Sequence, residues 1–396
     1  VKGVAVVSPD TPSDLSPPGH VLLAPDRFAG SLSAPEVARH LAAGLRRSRP
    51  GVPLVELPVA DGGDGTAEAA VASGWRRVDL EVCGPTGRPV TACLALDGGT
   101  AVVELAEASG VRRLPGGRPQ PLTATSLGTG QLVAHAVRLG ARRIVLGVGG
   151  GACADGGAGL VQGLGGRLLD ALGKDLPPGG AALRSLHALD LRGMPDLSGV
   201  EVILAGDAAG PLLGRDGAAG QACRQAGAGR EEIRVLDAGL RRWADLAEAA
   251  ARTAVRDRPG AGAAGGVGFA ALAFLGARVE DGTALMLDLL GFADRARGAR
   301  LIVTGEGSLD VRTLRGRSTV GVARAAARAR VPVVAVADRR GLTGEQLRRA
   351  RIQAVYALAD IEPDADRRVR QAGPLLEQLT VAIADEWLPV RRLHRA

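Results

Sequence analysis

The stretch VLLAPDRFAGSLSAPEVARHLAAGL, residues 21–45, decides the fold. Val21–Ala24 is an apolar run without alternation, as a strand buried on both faces of a parallel sheet requires. A glycine-bearing loop follows. Apolar residues then recur at Val37, Leu41 and Leu45, so Leu32–Leu45 is predicted helical, with Ser33 as N-cap and Glu36 completing a capping box.

The same strand-then-helix grammar recurs along the chain. Short apolar runs at Ile144–Val148, Leu301–Thr304, Val331–Ala337 and Val355–Leu358 read as parallel strands, and Gly130–Leu139, Val320–Arg330 and Gly344–Ala350 carry amphipathic helical patterns. Residues 76–110 break the rhythm. There Val78–Val82, Val90–Leu96 and Ala101–Leu105 alternate and are separated by Gly84-Pro85-Thr86-Gly87 and Asp97-Gly98-Gly99, a meander signature. A second block of short strands, Arg167–Leu169 and Val200–Leu204, lies between Gly- and Pro-rich turns. The expected fold is α/β with two domains. A Rossmann-like parallel-sheet domain (20–75, 125–160 and 290–396) is interrupted by a mixed-sheet domain (76–124 and 161–289), and residues 1–19 form a flexible extension. Such a join leaves a cleft of the kind ligands occupy.

Composition narrows the function. With 46% apolar and 23% charged residues in 396, the chain is neither disordered nor fibrous. Three Trp, one Tyr and four Phe give few platforms for stacking bases, which argues against single-stranded nucleic acid. The net charge of +7 comes almost wholly from arginine, Lys2 and Lys174 being the only lysines, and the basic excess concentrates after Arg295. These arginines come as scattered pairs among acids, the pattern of solvated helix faces, so no nucleic-acid partner is expected. Cys83, Cys93, Cys153 and Cys223 lack zinc or disulfide spacing, which fits a reducing cytoplasm. Pro259–Ala277 is uncharged, yet its glycines mark a buried loop and helix and no membrane span. His20, His40, His135, His187 and His394 have no Ser or Cys partner motif.

Five glycine- and acid-rich segments carry the candidate chemistry, and ligands of open α/β sheets bind beyond the carboxyl ends of strands. Ala24–Ser31 offers Asp26, for a substrate hydroxyl or metal, with Arg27 and Ser31 beside it. Asp61-Gly62-Gly63-Asp64-Gly65-Thr66 places two acids before a helix, where they can coordinate Mg2+ or cap it. Thr123–Gly130 puts Ser126, Gly128 and Thr129 at a helix start, an anion site that needs no lysine. In Gly147–Gly159, Gly149, Gly150 and Gly151 resemble a backbone-lined phosphate pocket with Asp155 at its edge. Read literally, Gly149, Gly151 and Ala154 also spell G-x-G-x-x-A, with Asp170 about twenty residues on, a weak dinucleotide pattern. Thr304–Asp310 holds Glu306 and Asp310, a metal or base pair, with Thr313 and Arg317 following. Asp207 ends a strand of the second domain, and no GxxxxGK[ST] exists, so a Walker-type site is excluded.

Taken in order, these segments resemble the bacterial glycerate kinase family, the type that is not P-loop based. The resemblance runs from about Val21 to Ala384 and rests on APDRFAGSLSA (24–34), PVADGGDGT (58–66), GPTGRPV (84–90), TSLGTG (125–130), GVGG with DGGAG (147–159), PLLG (211–214), GAGAAGGVG (260–268) and TGEGSLDVRTLRG (304–316). It implies transfer of the γ-phosphoryl group of ATP to a hydroxyl of D-glycerate, giving phosphoglycerate, with Mg2+ as cofactor. The partners are then a small hydroxy acid and a nucleotide, with no membrane, and an oligomer is left open. On this resemblance Asp155 or Asp207 takes the hydroxyl proton, and Asp26, Arg27, Ser31, Asp61 and Asp64 bind substrate. Ser126, Gly128, Thr129 and Gly149–Gly151 hold phosphates, and Glu306 with Asp310 binds the metal. The chain departs from the family pattern at Ala29 and Ala226, where lysine is usual, at Gly151 and Ala154, where serine and asparagine are usual, and at Ala209-Gly210, where the family has an Asp-Asn pair. Arg27 and Arg317 are the substitutes at hand. Two further readings follow: a catalytically weak paralogue that binds a ligand or partner, and a nicotinamide-dependent oxidoreductase using Gly149–Ala154.

Overall fold

The computed structural model describes residues 4–5, 19–206, 210–221 and 227–389. Its strands are β1 (Val4–Ala5), β2 (His20–Pro25), β3 (Leu54–Glu56), β4 (Arg76–Cys83), β5 (Pro89–Asp97), β6 (Thr100–Glu104), β7 (Arg143–Gly147), β8 (Arg167–Leu169), β9 (Ala188–Asp190), β10 (Glu201–Ala205), β11 (Arg278–Glu280), β12 (Ala299–Leu309), β13 (Val333–Arg340) and β14 (Ala354–Ala357). They form two six-stranded sheets and the ribbon β8-β9. The chain divides into one unit of residues 1–61 and 283–396 and another of residues 62–282.

The first unit carries the sheet β1-β14-β13-β12-β2-β3, parallel throughout except for β1, which runs antiparallel beside β14. Val4–Ala5, expected within a flexible extension, is therefore paired strand, and residues 1–3 and 6–18 lie outside the described residues. Val21, Leu22, Leu23 and Ala24 are all fully buried, which is why β2 reads as a continuous apolar run. Helix α1 (Ala34–Ser48) begins at the expected box, with the Ser33 N–H donating to Glu36 Oε2 at 2.9 Å. Its buried face of Val37, Leu41 and Leu45 joins Leu376, Leu379 and Ile383 of the helix Ala372–Trp387 in one core. Gly44 lets those helices approach, because a Cβ there would strike Thr380 and Glu377.

The second unit holds the mixed sheet β11-β10-β7-β6-β5-β4, whose first four strands run parallel and whose last two are the meander. This corrects the expected division. β7 and its flanking segments were assigned to the domain of the chain ends, but Ile144 pairs with Val202 on one side and Ala101 on the other. A buried apolar strand advertises two covered faces and says nothing about which neighbours flank it. Residues 62–75 and 125–160 therefore belong to the second unit, whose core runs from Leu94 and Val103 through Ile144 and Leu204 to Trp243 and Phe269. Glycine-rich 259–277 supplies the helix Ala263–Phe274, and no helix among the described residues is long and apolar enough to cross a membrane.

Candidate active site

In the first unit, adjacent parallel strands bring two acids together. β2 and β12 pair with Pro25 opposite Gly305, and the Asp26 N–H donates to the Gly305 carbonyl at 2.8 Å, so Asp26 and Glu306 leave neighbouring strand ends. Beyond β3 the chain stays beside β2 through Leu57 N–H to Leu23 O and Val59 N–H to Pro25 O, which carries Asp61 into the same region. Asp26 is only 9% exposed. Its Oδ2 accepts from Ser318 Oγ and its Oδ1 from the Arg27 N–H, both at 2.6 Å. Burial first, then the charges of Asp61 and Glu306, lift its pKa to about 7 against those two hydrogen bonds.

Glu306 is 5% exposed, and burial raises its pKa as well, against the nearby Thr313, Arg317 and Thr319. Arg317 Nη1 lies 3.6 Å from Oε2, while the buried Oε1 meets no hydrogen-bond partner. The glycines flanking Glu306 answer to packing: a Cβ on Gly305 would strike the Val336 carbonyl of β13, and one on Gly307 would stand 3.2 Å from the Ala29 amide nitrogen. Asp310, expected to share a metal with Glu306, is committed elsewhere. Arg312 grips it through Nη2 at 2.7 Å and Nε at 3.2 Å, its backbone N–H adds 2.8 Å, and together they hold the carboxyl well below the usual range. Ser31 closes a tight turn by donating to the Phe28 carbonyl at 3.1 Å, and Arg27 is half-buried.

In the second unit, Asp155, expected to take the hydroxyl proton, is a structural acceptor. It has no exposed surface, and it accepts from Ser126 N–H (2.7 Å), Ser126 Oγ (3.0 Å), Thr125 Oγ1 (3.3 Å), Gly157 N–H (3.1 Å) and Gly159 N–H (3.2 Å). Burial raises its pKa and the hydrogen bonds to Ser126, Gly157 and Gly159 pull it back. The carboxylate thus ties the starts of α4 (Leu127–Arg138) and α5 (Ala158–Gly163) together, with no face left for a substrate.

The expected phosphate loop meets the same correction. Ser126 and Thr129 are fully buried, Ser126 Oγ also accepts the Leu160 N–H at 2.9 Å, and Thr129 Oγ1 donates to Ser109 Oγ at 2.9 Å. Gly128 is glycine because a Cβ would strike the Cys83 carbonyl, and Gly130 because one would strike Leu160. These hydroxyls and glycines seat α4 against α5, the helix Leu105–Ser109 and the end of β4.

Gly149, Gly150 and Gly151 keep partial exposure but are closely packed. The Gly149 N–H donates to the Gly62 carbonyl at 3.3 Å, Gly150 at φ +67° has no room for a Cβ beside Asp64, and a Cβ on Gly151 would lie 2.8 Å from Leu105 Cδ2. No helix opens at Gly151–Ala154, α5 starting only at Ala158, so the nicotinamide pattern lacks its structural context. Asp207 lies outside the described residues, as do Ala226, Ala209 and Cys223.

Three residues escaped the sequence reading. Ser318, the hydrogen-bond partner of Asp26, opens the helix Ser318–Ala329. Glu104 ends β6 at 1% exposure, and Arg112 reaches both Asp64 Oδ2 (3.5 Å) and Glu104 Oε1 (3.8 Å). The one available signal was a charge, Glu104, closing the apolar run Ala101–Val103 at a strand's carboxyl end.

In this two-sheet α/β chain, acids at the carboxyl ends of parallel strands stand where open sheets bind their ligands. A family model described as the glycerate kinase family matches residues 21–388. Glycerate kinase of Bacillus subtilis is 40% identical over 321 residues, covering 80% of this chain and 84% of that protein. Glycerate 2-kinase of Escherichia coli is 40% identical over 322 residues, with the same 80% and 84% covered. A crystal structure of a protein described as glycerate kinase 2 from Salmonella typhimurium LT2 superposes with a TM-score of 0.79 at 37% identity, covering 93% of this chain and 98% of that one. This chain belongs to the glycerate kinase family.

Proposed function

We propose that the chain transfers the γ-phosphoryl group of ATP to a hydroxyl of D-glycerate, giving phosphoglycerate. The observation that carries the reading within the chain itself is Asp26, a buried carboxylate beside Asp61 and Glu306 whose proton affinity sits near neutrality. A general base works best with a pKa near the operating pH, and phosphoryl transfer asks for little besides positioning, charge neutralisation and removal of the hydroxyl proton. Asp26 takes that proton, Ser318 and the Arg27 N–H fix its orientation, and Asp61 raises its basicity. Asp64 and Arg27 are the proposed substrate contacts, and phosphate is assigned to Gly149–Gly151.

Magnesium suits Glu306. Among the described residues no three His, Cys, Asp or Glu side chains form a metal-binding group, yet the buried Glu306 Oε1 has no hydrogen-bond partner. One carboxylate is what Mg2+ takes when it is shared with nucleotide phosphates, and once bound it offsets charge developing on the phosphoryl oxygens. The free thiols Cys83, Cys93 and Cys153 support a reducing, cytoplasmic setting.

The test is coupled ADP release on D-glycerate with ATP and Mg2+, beside thermal-shift scans of nucleotides and acids. Turnover that needs all three components supports the kinase. Stabilisation by nucleotide without turnover would make the chain a binding paralogue.

A further inference from the structure

We infer that Glu104 is a positioning residue, whose carboxylate anchors the Gly62–Asp64 turn to the end of β6 and so sets where Asp64 stands. Its link to turnover rests on the kinase reading. The turn is short, rich in glycine and followed by the seven-residue helix α2 (Thr66–Ala72), and locally the Thr66 Oγ1 and N–H both donate to the Gly63 carbonyl, at 2.6 and 3.3 Å. On two sides it is held by backbone contact. The Gly62 carbonyl accepts the Gly149 N–H, a Cβ on Gly147 would stand 2.7 Å from that same carbonyl, and one on Gly62 would strike the Ala205 carbonyl at the end of β10. On the third side stands Glu104. Oε1 accepts the Gly65 N–H at 2.9 Å and Oε2 accepts the Ala67 N–H at 3.1 Å, so one carboxylate takes two of the donors that the start of α2 leaves without intrahelical partners.

Chemistry explains why an acid is kept where an apolar residue would pack more cheaply. A buried carboxylate is expensive unless its lone pairs are met, and an apolar replacement would orphan the buried Ala67 N–H and the part-buried Gly65 N–H. The charged and titratable groups around it are Asp64, Glu107 of α3 (Leu105–Ser109) with its partner Arg113, Cys93 of β5, and Arg112. Arg112 bridges Glu104 and Asp64, so the carboxylate that fixes the turn and the carboxylate the turn presents share a guanidinium. Burial foremost, with Glu107 and Asp64, lifts Glu104 to about 7. Protonation as pH falls through that value turns one accepting oxygen into a donor facing an N–H.

The experiment compares the full-length protein with E104Q, which keeps the shape and loses one acceptor. Two readouts are taken: amide hydrogen exchange at Gly65 and Ala67 from about pH 5.5 to 8.5, corrected for intrinsic rates, and kcat and KM for glycerate-dependent ADP release. In the wild type, protection at one of the two amides should fall as pH drops through about 7. In E104Q it should be low and flat across that range, with kcat/KM reduced roughly 10- to 100-fold, chiefly through KM, while the unfolding midpoint moves little. Wild-type protection in E104Q, or lost protection with unchanged kcat and KM, would overturn the inference. Should the wild type fail to turn over glycerate, the kinase reading falls, and the exchange data alone decide: pH-dependent, Glu104-dependent protection supports the anchor and its absence refutes it.

Discussion

Replacing Asp26 by Asn should make the protein more stable and far less active. The Asn side chain fits the hydrogen bonds already present: its Oδ1 accepts the Arg27 N–H, and its amide donates to Ser318 Oγ, a hydroxyl that both donates and accepts. What disappears is a buried negative charge facing Asp61 and Glu306. A carboxyl raised from 3.8 to about 7 binds its proton more tightly in the folded chain than in the unfolded one. Its contribution to stability is therefore complete below pH 3.8 and lost as pH rises through about 7, a loss of up to ~4 kcal/mol. D26N escapes that loss. At pH 8 its unfolding free energy should exceed the wild type's by up to ~4 kcal/mol, and at pH 4.5 the gap should shrink to ~1 kcal/mol. At roughly 2–4 °C per kcal/mol for units of this size, scanning calorimetry at the two pH values resolves the difference. Turnover of glycerate should drop by roughly 10²–10⁴ for loss of a general base. A D26N protein that is equally or less stable at pH 8, or whose advantage does not vary with pH, would refute the reasoning by showing that the native Asp26 charge is well compensated.

Asp155→Ala leaves the N–H groups of Ser126, Gly157 and Gly159 unpaired in the core, so urea melts should show a loss of ~3–5 kcal/mol; kcat in the fraction that folds should stay within about threefold of the wild type. Gly149→Ala drives a Cβ into Gly63, and a destabilisation of ~1–3 kcal/mol by the same melts is expected, accompanied by a raised KM. Glu306→Gln should raise the Mg2+ concentration needed for half-maximal turnover by about tenfold or more, and a magnesium titration with an unchanged midpoint would remove the metal role from this residue.

Local grammar was legible and spatial partnership was not. Ser33 with Glu36 marked the start of α1, and the alternation in residues 76–110 marked the meander, because both depend on neighbours within a few residues. β7 went to the wrong sheet because its pairing with β6 and β10 is set by topology across distant segments. Asp26 and Glu306 stood out as acids after strands, but their adjacency depends on β2 pairing with β12 across most of the chain. The TSLGTG and DGGAG segments misled for one physical reason. Small residues, hydroxyls and glycines that let two helices close around a buried Asp155 are the same residue types that cradle a phosphate, and only the burial of Ser126 and Thr129 separates the two uses.

The most direct test is an ADP-release assay with D-glycerate, ATP and Mg2+, run on the wild type and on D26N across neutral pH. The expected result is glycerate-dependent ADP release by the wild type and little release by D26N at any pH. Equal turnover by the two proteins would contradict the assignment of Asp26, and a wild type that binds nucleotide yet releases no ADP with glycerate would contradict the kinase itself.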